Sequence, residues 1–141
     1  LAGLRLGDHV MLTQSLGSSI ADAATTVVSG GPLLVENGRV NVRTAEEQMA
    51  PDIVRGRAPR TAVGLKPDGT LLMLVVDGRS SASAGMTLAE LAQYFVKLGA
   101  VSAVNYDGGG SSEMVINGKI VNKPSDGRER LVSIGLGLFI K

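Results

Sequence analysis

The stretch T61-A-V-G-L-K-P-D-G-T-L-L-M-L-V-V-D77 decides the fold. Two apolar runs of strand length flank Asp68-Gly69, and Asp-Gly between such runs is among the strongest local signals for an antiparallel hairpin. The signal recurs at V35-E-N-G-R-V40 and I116-N-G-K-I120, where both central residues of the favoured turn need positive φ. Further apolar runs at 27–28, 32–35, 101–106, 114–116 and 131–140 supply the remaining strands. A chain written in hairpins predicts a sheet that is mixed but mainly antiparallel.

Against that sheet the pattern T87-L-A-E-L-A-Q-Y-F-V-K-L-G99 predicts one long helix, about 87–98. Thr87 and Glu90 stand in capping-box spacing and Gly99 supplies the stop. Leu88, Leu91, Ala92, Phe95 and Leu98 fall on one face, which marks the side that lies on the sheet. Shorter helices are expected at 18–24 and at 44–49, the latter from the Thr44 and Glu47 spacing. The fold class expected is α+β, with residues 1–141 forming a single domain.

Composition narrows the function classes. At 141 residues the chain can bury a real core, and with two Phe, two Tyr and no Trp that core must come from aliphatic side chains. The net charge is +1 with Lys and Arg spread along the chain, so the clustered basic face that nucleic acid requires is missing. No cysteine is present, which excludes disulfides, thiolate metal sites and cysteine nucleophiles. No apolar run approaches the roughly 20 residues of a spanning helix, so no membrane span is expected in this chain. The chain begins at Leu1 rather than Met, as a processed or shortened piece would.

The chemistry-bearing segment is V104-N-Y-D-G-G-G-S-S-E-M-V115. Asp107 ends a strand, and Gly108, Gly109 and Gly110 would let backbone N–H groups approach an oxygen-rich or anionic ligand. A wide turn would need only one glycine, so three in a row favour a ligand cradle by about two to one. A phosphate-binding P-loop is excluded, because its spacing and following helix are both missing. Asp77 closes the preceding hairpin in the same manner, followed by Gly78 and Arg79, which suggests two carboxylates at one sheet edge. Such a pair can act as acid and base in glycoside cleavage or bind a divalent cation; a surface Asp-Gly turn is an equal reading for Asp77. Arg60, Arg79 and Arg130 stand at strand boundaries, from which a guanidinium could take a phosphate or carboxylate in bidentate fashion. Ser83, Ser111 and Ser112 have no His-Asp pattern beside them, and His9 reads as an ordinary surface histidine.

Taken in order, G30-G-P-L-L, R60-T-A-V-G, V76-D-G-R79, G85-M-T-L, N105-Y-D-G-G-G-S111 and R130-L-V resemble the phosphodiester glycosidase family over residues 26–140. The resemblance implies a hydrolase that cleaves a sugar-1-phosphodiester or related glycosidic bond in envelope or exopolysaccharide glycans, in a bacterial and extracytoplasmic setting. On that pattern Asp107, Asp77 and Arg60 are the expected catalytic residues. Asn105, Gly108, Gly109, Gly110, Ser111, Arg79, Arg130, Gly30 and Gly31 would bind the substrate, a carbohydrate or sugar phosphate.

One departure is the family's upstream Asn-Gly-Phe-Phe-like segment, which has no counterpart here. Its absence would leave a sheet edge unpaired, so pairing with a second copy or with the missing segment is expected. It also keeps two other functions in view: a glycan-binding module without chemistry, and a glycosidase acting on a non-phosphorylated envelope polymer. No cofactor is required by the motifs; a divalent cation such as calcium at Asp77 or Asp107 stays open, without His-rich or EF-hand-like spacing to demand it.

Overall fold

All three turn signals close hairpins in the structure, a computed structural model that describes residues 3–11 and 13–139. In chain order the strands are β1 (Leu33–Glu36), β2 (Arg39–Val40), β3 (Arg60–Leu65), β4 (Leu71–Val76), β5 (Ser102–Asn105), β6 (Val115–Ile116) and β7 (Lys119–Ile120). Short helices α1 (Ser19–Ala23) and α2 (Pro51–Val54) precede the long α3 (Leu88–Lys97). Five strands form one sheet in the order β2-β1-β5-β3-β4, with every pairing antiparallel, and β6-β7 stands apart as a two-stranded ribbon.

The hairpin turns differ in a way that their sequences explain. Asn37-Gly38 and Asn117-Gly118 have positive φ at both residues, the geometry whose twist matches the flanking strands. At Asp68-Gly69 only the glycine does (φ 84°), because the loop is longer and Lys66 N–H donates to Thr70 O at 2.9 Å around a turn containing Pro67.

Helix α3 forms as its spacing predicts. Thr87 Oγ1 accepts from Glu90 N–H at 3.2 Å while Glu90 Oε2 accepts from Thr87 N–H at 2.9 Å, a complete capping box. Its buried residues Leu88, Leu91, Ala92 and Phe95 meet Leu34, Val35, Ala62 and Ala103 of the sheet to make the core. At Gly64 in β3 a β carbon would stand 2.6 Å from Phe95 Cδ1. A bare backbone at that point in β3 lets the helix settle onto the sheet.

Three expected elements take other forms. Residues 44–49 fold as turns, because Glu47 turns its carboxylate to Leu33 N–H (2.9 Å) instead of back to Thr44, and the helix starts later, at Pro51. Residues 27–28 lie outside any strand. The run at 131–140 also forms no strand over its described part, 131–139: no ladder partner faces it among the described residues, and Leu131, Ile134, Leu138 and Phe139 stay exposed. Alternation prepares a segment for a sheet but cannot supply the neighbour. Ile140 lies outside the described residues.

Candidate active site

Antiparallel register carries the two Asp-Gly segments to one edge of the sheet. Val76 at the end of β4 pairs with Arg60 at the start of β3, and Asn105 at the end of β5 pairs with Ala62 two residues on. Asp77 follows at once and Asp107 after Tyr106, on either side of the strand that begins at Arg60. The spacer between them is the buried Pro59: a β carbon at Gly78 would stand 2.7 Å from Pro59 N, and one at Gly108 would stand 2.8 Å from Pro59 O. Gly109 N–H donates to that same Pro59 O at 3.0 Å. Both glycines therefore exist for contact with a protein backbone.

The second side of the site is built by Asn105. The residue is only 2% exposed; its side chain donates from Nδ2 to Gly31 O (2.9 Å) and to Tyr106 O (2.7 Å), while its backbone carbonyl accepts from Gly31 N–H at 2.7 Å. Gly30 and Gly31 are thereby bound to the end of β5, and Tyr106 covers Gly30, with Cε1 3.2 Å from where a β carbon would be. Asn105 Oδ1 is buried without a hydrogen-bond partner among the described residues, an open acceptor of the sort found at binding sites and buried waters. Asn105 acts on Gly30 and Gly31 from below, as a tie.

The remaining two glycines lie beneath arginines. Gly109, with φ 63°, begins a 3-10 turn (Gly109–Ser111), and a β carbon there would meet Arg79 Nη1 at 3.2 Å. Arg79 itself has φ 57°, a conformation that costs about 1 kcal/mol or more for a side chain of its size and that clusters at functional sites. It carries no ion pair among the described residues. Gly110 is buried under a second guanidinium: both Arg130 Nη2 and Asp126 Oδ2 lie within overlap distance of a β carbon at 110. Arg130 donates from Nε (2.9 Å) and Nη2 (2.5 Å) to Asp126 Oδ2. Asp107, exposed at the rim, accepts Gly108 N–H on Oδ1 at 2.9 Å, and its Oδ2 has no protein partner among the described residues.

Two expected residues are turned elsewhere. Arg60 was expected to reach over the edge as a catalytic group, but it is buried and spends its donors on three carbonyls: Met86 O (3.0 Å), Ile53 O (3.0 Å) and Gly56 O (3.2 Å). Burial, and then the like charge of Arg79, push its pKa down from the ordinary arginine value. The Asp77 carboxylate accepts Asn122 Nδ2–H at 3.0 Å and Lys123 N–H at 3.0 and 3.2 Å, so it anchors the chain after the β6-β7 ribbon. Asn122 also donates to Ser112 O (3.1 Å) and accepts Met114 N–H (2.8 Å), which ties that anchor to the end of the glycine turn. Ser111 closes the turn through its N–H to Gly108 O, and Ser112 is buried against Thr61 Oγ1 at 3.1 Å.

Pro59, Asn122 and Asp126 were not singled out in the sequence. Asp126 sits in Ser125-Asp126-Gly127, an evident turn signal, but nothing local reports which distant arginine a turn carboxylate will meet. A shallow depression lined by Asp126, Arg128, Glu129, Arg130 and Leu131 opens beside the glycine turn; another, at Glu36, Asn37 and Arg39, lies on the β1-β2 hairpin and contains none of these groups. Among the described residues no three carboxylate or histidine side chains gather as a metal centre, so a cation at Asp77 or Asp107 would complete its shell with backbone, water or substrate oxygens. No helix of the structure is long and apolar enough to cross a membrane.

A glycine turn under two arginines, beside a carboxylate with one open oxygen, is the setting in which the comparisons with known proteins take their meaning. The family model for phosphodiester glycosidases matches residues 3–139, and the chain belongs to that family. The N-acetylglucosamine-1-phosphodiester alpha-N-acetylglucosaminidase of Bos taurus is 33% identical over 109 residues, 71% of this chain and 20% of the bovine protein. An SPbeta prophage-derived protein of Bacillus subtilis, YomE, is 46% identical over 74 residues, 52% of this chain and 12% of its own length. Among solved structures, the zebrafish N-acetylglucosamine-1-phosphodiester alpha-N-acetylglucosaminidase catalytic domain, auto-inhibited by its pro-peptide, superposes with a TM-score of 0.60 at 31% identity, covering 70% of this chain and 34% of that one. The chain thus spans about a fifth or less of the curated relatives it matches.

Proposed function

We propose that this chain, acting as one phosphodiester glycosidase-like domain over residues 1–141, hydrolyses a sugar-1-phosphodiester, with water adding across the bond between the anomeric carbon and the phosphate oxygen. The observation that carries the reading is Asp107 Oδ2, left open beside a glycine turn overlaid by Arg79 and Arg130. The two guanidiniums take the phosphate, and backbone at Gly108–Gly110 and Ser111 lets it approach closely. Asp107 exchanges the proton at the reacting bond. Gly30 and Gly31, held by Asn105, form the wall on the sugar side. Arg60 and Asp77 act one step back, Arg60 by bracing the loop before β3 and Asp77 by anchoring Asn122 and Lys123. An envelope or exopolysaccharide glycan, in an extracytoplasmic compartment, is the substrate setting in keeping with the family.

The test is turnover of an N-acetylglucosamine phosphodiester, the bond named for the bovine relative. Replacing Asp107 by Asn should lower kcat by about 10²-fold or more while leaving the melting temperature in place. Unchanged turnover in that variant removes the proposal. Chelation followed by addition of single metals reads cation dependence in the same assay.

A second reading has its own observation. Among the described residues Asp77 is engaged on both oxygens and Asp126 is paired with Arg130 through Oδ2, so Asp107, bonded only to the N–H of the next residue, is the least engaged of the three, whereas two carboxylates do the work in most glycosidases. That favours a glycan-binding module without chemistry; tight glycan binding with no product after long incubation selects it. In either case the outer edge of β4, paired only with β3 among the described residues, is where a second copy or another segment would add, and the sedimentation behaviour of the chain reads that.

A further inference from the structure

The two arginines over the glycine turn differ in charge environment. Arg79 lies across Gly109 with no ion pair among the described residues, whereas Arg130, across Gly110, is bonded through its Nε and Nη2 to a single oxygen of Asp126. A guanidinium has five N–H groups in a flat fork. The bond to Asp126 uses the Nε edge and leaves both Nη1 protons and the second Nη2 proton for a ligand. Arg130 therefore keeps donors on offer while its charge is cancelled. Arg79, Arg130 and Asp126 together sum to one positive charge over the glycine turn, and Arg128 and Glu129, which line the same depression, offset each other.

We propose that Asp126 sets the charge selectivity of the site: it holds Arg130 as a donor with its charge compensated, so that the pocket matches a phosphodiester, with one negative charge, and rejects a phosphomonoester, with two. The inference rests on the sugar-phosphodiester reading above and deepens it. Adding water across the anomeric C–O bond places hydroxyl on the sugar and the proton on the phosphate oxygen, so the second product is a phosphomonoester. Its second ionisation lies near pH ~6, so at neutral pH it leaves with close to one more negative charge than the substrate brought. With Asp126 beside Arg130, that added charge meets a carboxylate and finds no second uncompensated cation over the glycine turn, since Arg128 farther along the depression is matched by Glu129. The site so arranged holds substrate and releases product. Asp126 is a positioning residue in this scheme, acting through Arg130.

Dimethyl phosphate and methyl phosphate, compared at pH 8 by binding titration, carry one and two charges on nearly the same shape. The wild-type chain should bind dimethyl phosphate at least as tightly as methyl phosphate. In Asp126→Asn the ratio should move toward methyl phosphate by about fivefold, the scale of one half-exposed charge contact. In Arg130→Gln, where the carboxylate is left uncompensated, it should move the opposite way by a similar factor, so a folding failure in one variant leaves the other decisive. A ratio unmoved in the variants, movement in the reverse sense, or no binding of either ester by wild type and variants overturns the inference. Hydrolysis is read separately: Asp107-dependent turnover with an unmoved ratio keeps the function and removes the role of Asp126. A moving ratio without turnover keeps that role and removes the hydrolysis.

Discussion

A β carbon at position 110 would overlap both Arg130 and Asp126, and one at 108 would press into the carbonyl of Pro59. The three consecutive glycines thus answer to three different neighbours: a backbone, one free guanidinium and one paired guanidinium. Gly110→Ala should displace the Arg130–Asp126 pair, raising KM for a phosphodiester with a loss of stability of about 1–3 kcal/mol, measured by steady-state kinetics and chemical denaturation. Arg60 makes the contrasting case. Its truncation to Ala removes three hydrogen bonds from a buried guanidinium, to carbonyls of the partly buried Ile53 and Met86 and the exposed Gly56, and empties its space, so we expect a loss of about 2 kcal/mol in folding stability, which urea denaturation would show as a lower midpoint. An Arg60→Ala chain as stable as wild type would return Arg60 to the list of groups that meet the substrate.

Helix α3 shows how strongly local code can act. The Thr87 backbone N–H, foremost, holds the Glu90 carboxyl below the usual carboxylate range; desolvation opposes it next, and the Thr87 hydroxyl and the charge of Arg57 add lesser downward pushes. A carboxyl depressed in the folded state contributes stability that is fully present above its unfolded value near 4.5 and is lost as pH falls through its folded value. The gap in melting temperature between wild type and Glu90→Gln should therefore be constant from about pH 7 to 5 and narrow progressively as pH falls below 4.5. Thr87→Ala, which removes the hydroxyl acceptor, should cost about 1 kcal/mol at neutral pH. This helix, its cap, its buried face and the three hairpins were all legible in the sequence, because each is specified within a dozen residues. The Thr44 and Glu47 pair carried the same code and did not make a helix: Leu33 N–H, eleven residues before Thr44, offered Glu47 a better partner. Residues 131–139 failed for the matching reason, since a strand needs a neighbour that its own alternation cannot name.

The whole molecule divides into a sheet-and-helix body and a limb, residues 113–130, that carries Arg130 and Asp126 back to the glycine turn. Asn122 is the hinge pin of that limb, touching Asp77, Ser112 and Met114 at once. Asn122→Ala should abolish phosphodiester turnover while leaving far-ultraviolet circular dichroism and the burial of Phe95 as in wild type; retained turnover would show that the limb docks by other means. The aspartates and arginines of the site could be nominated from their places at strand ends. Which of them stay open to a ligand could not, because Asn122, Asp126 and the carbonyls around Arg60 come from segments distant in sequence. Pro59 carries the last consequence. Gly78 and Gly108, which follow Asp77 and Asp107, close on successive peptides of the chain, one at the nitrogen of residue 59 and the other at its carbonyl. A contact made by main chain survives a change of side chain, so both loops keep this seat while the residues around it vary.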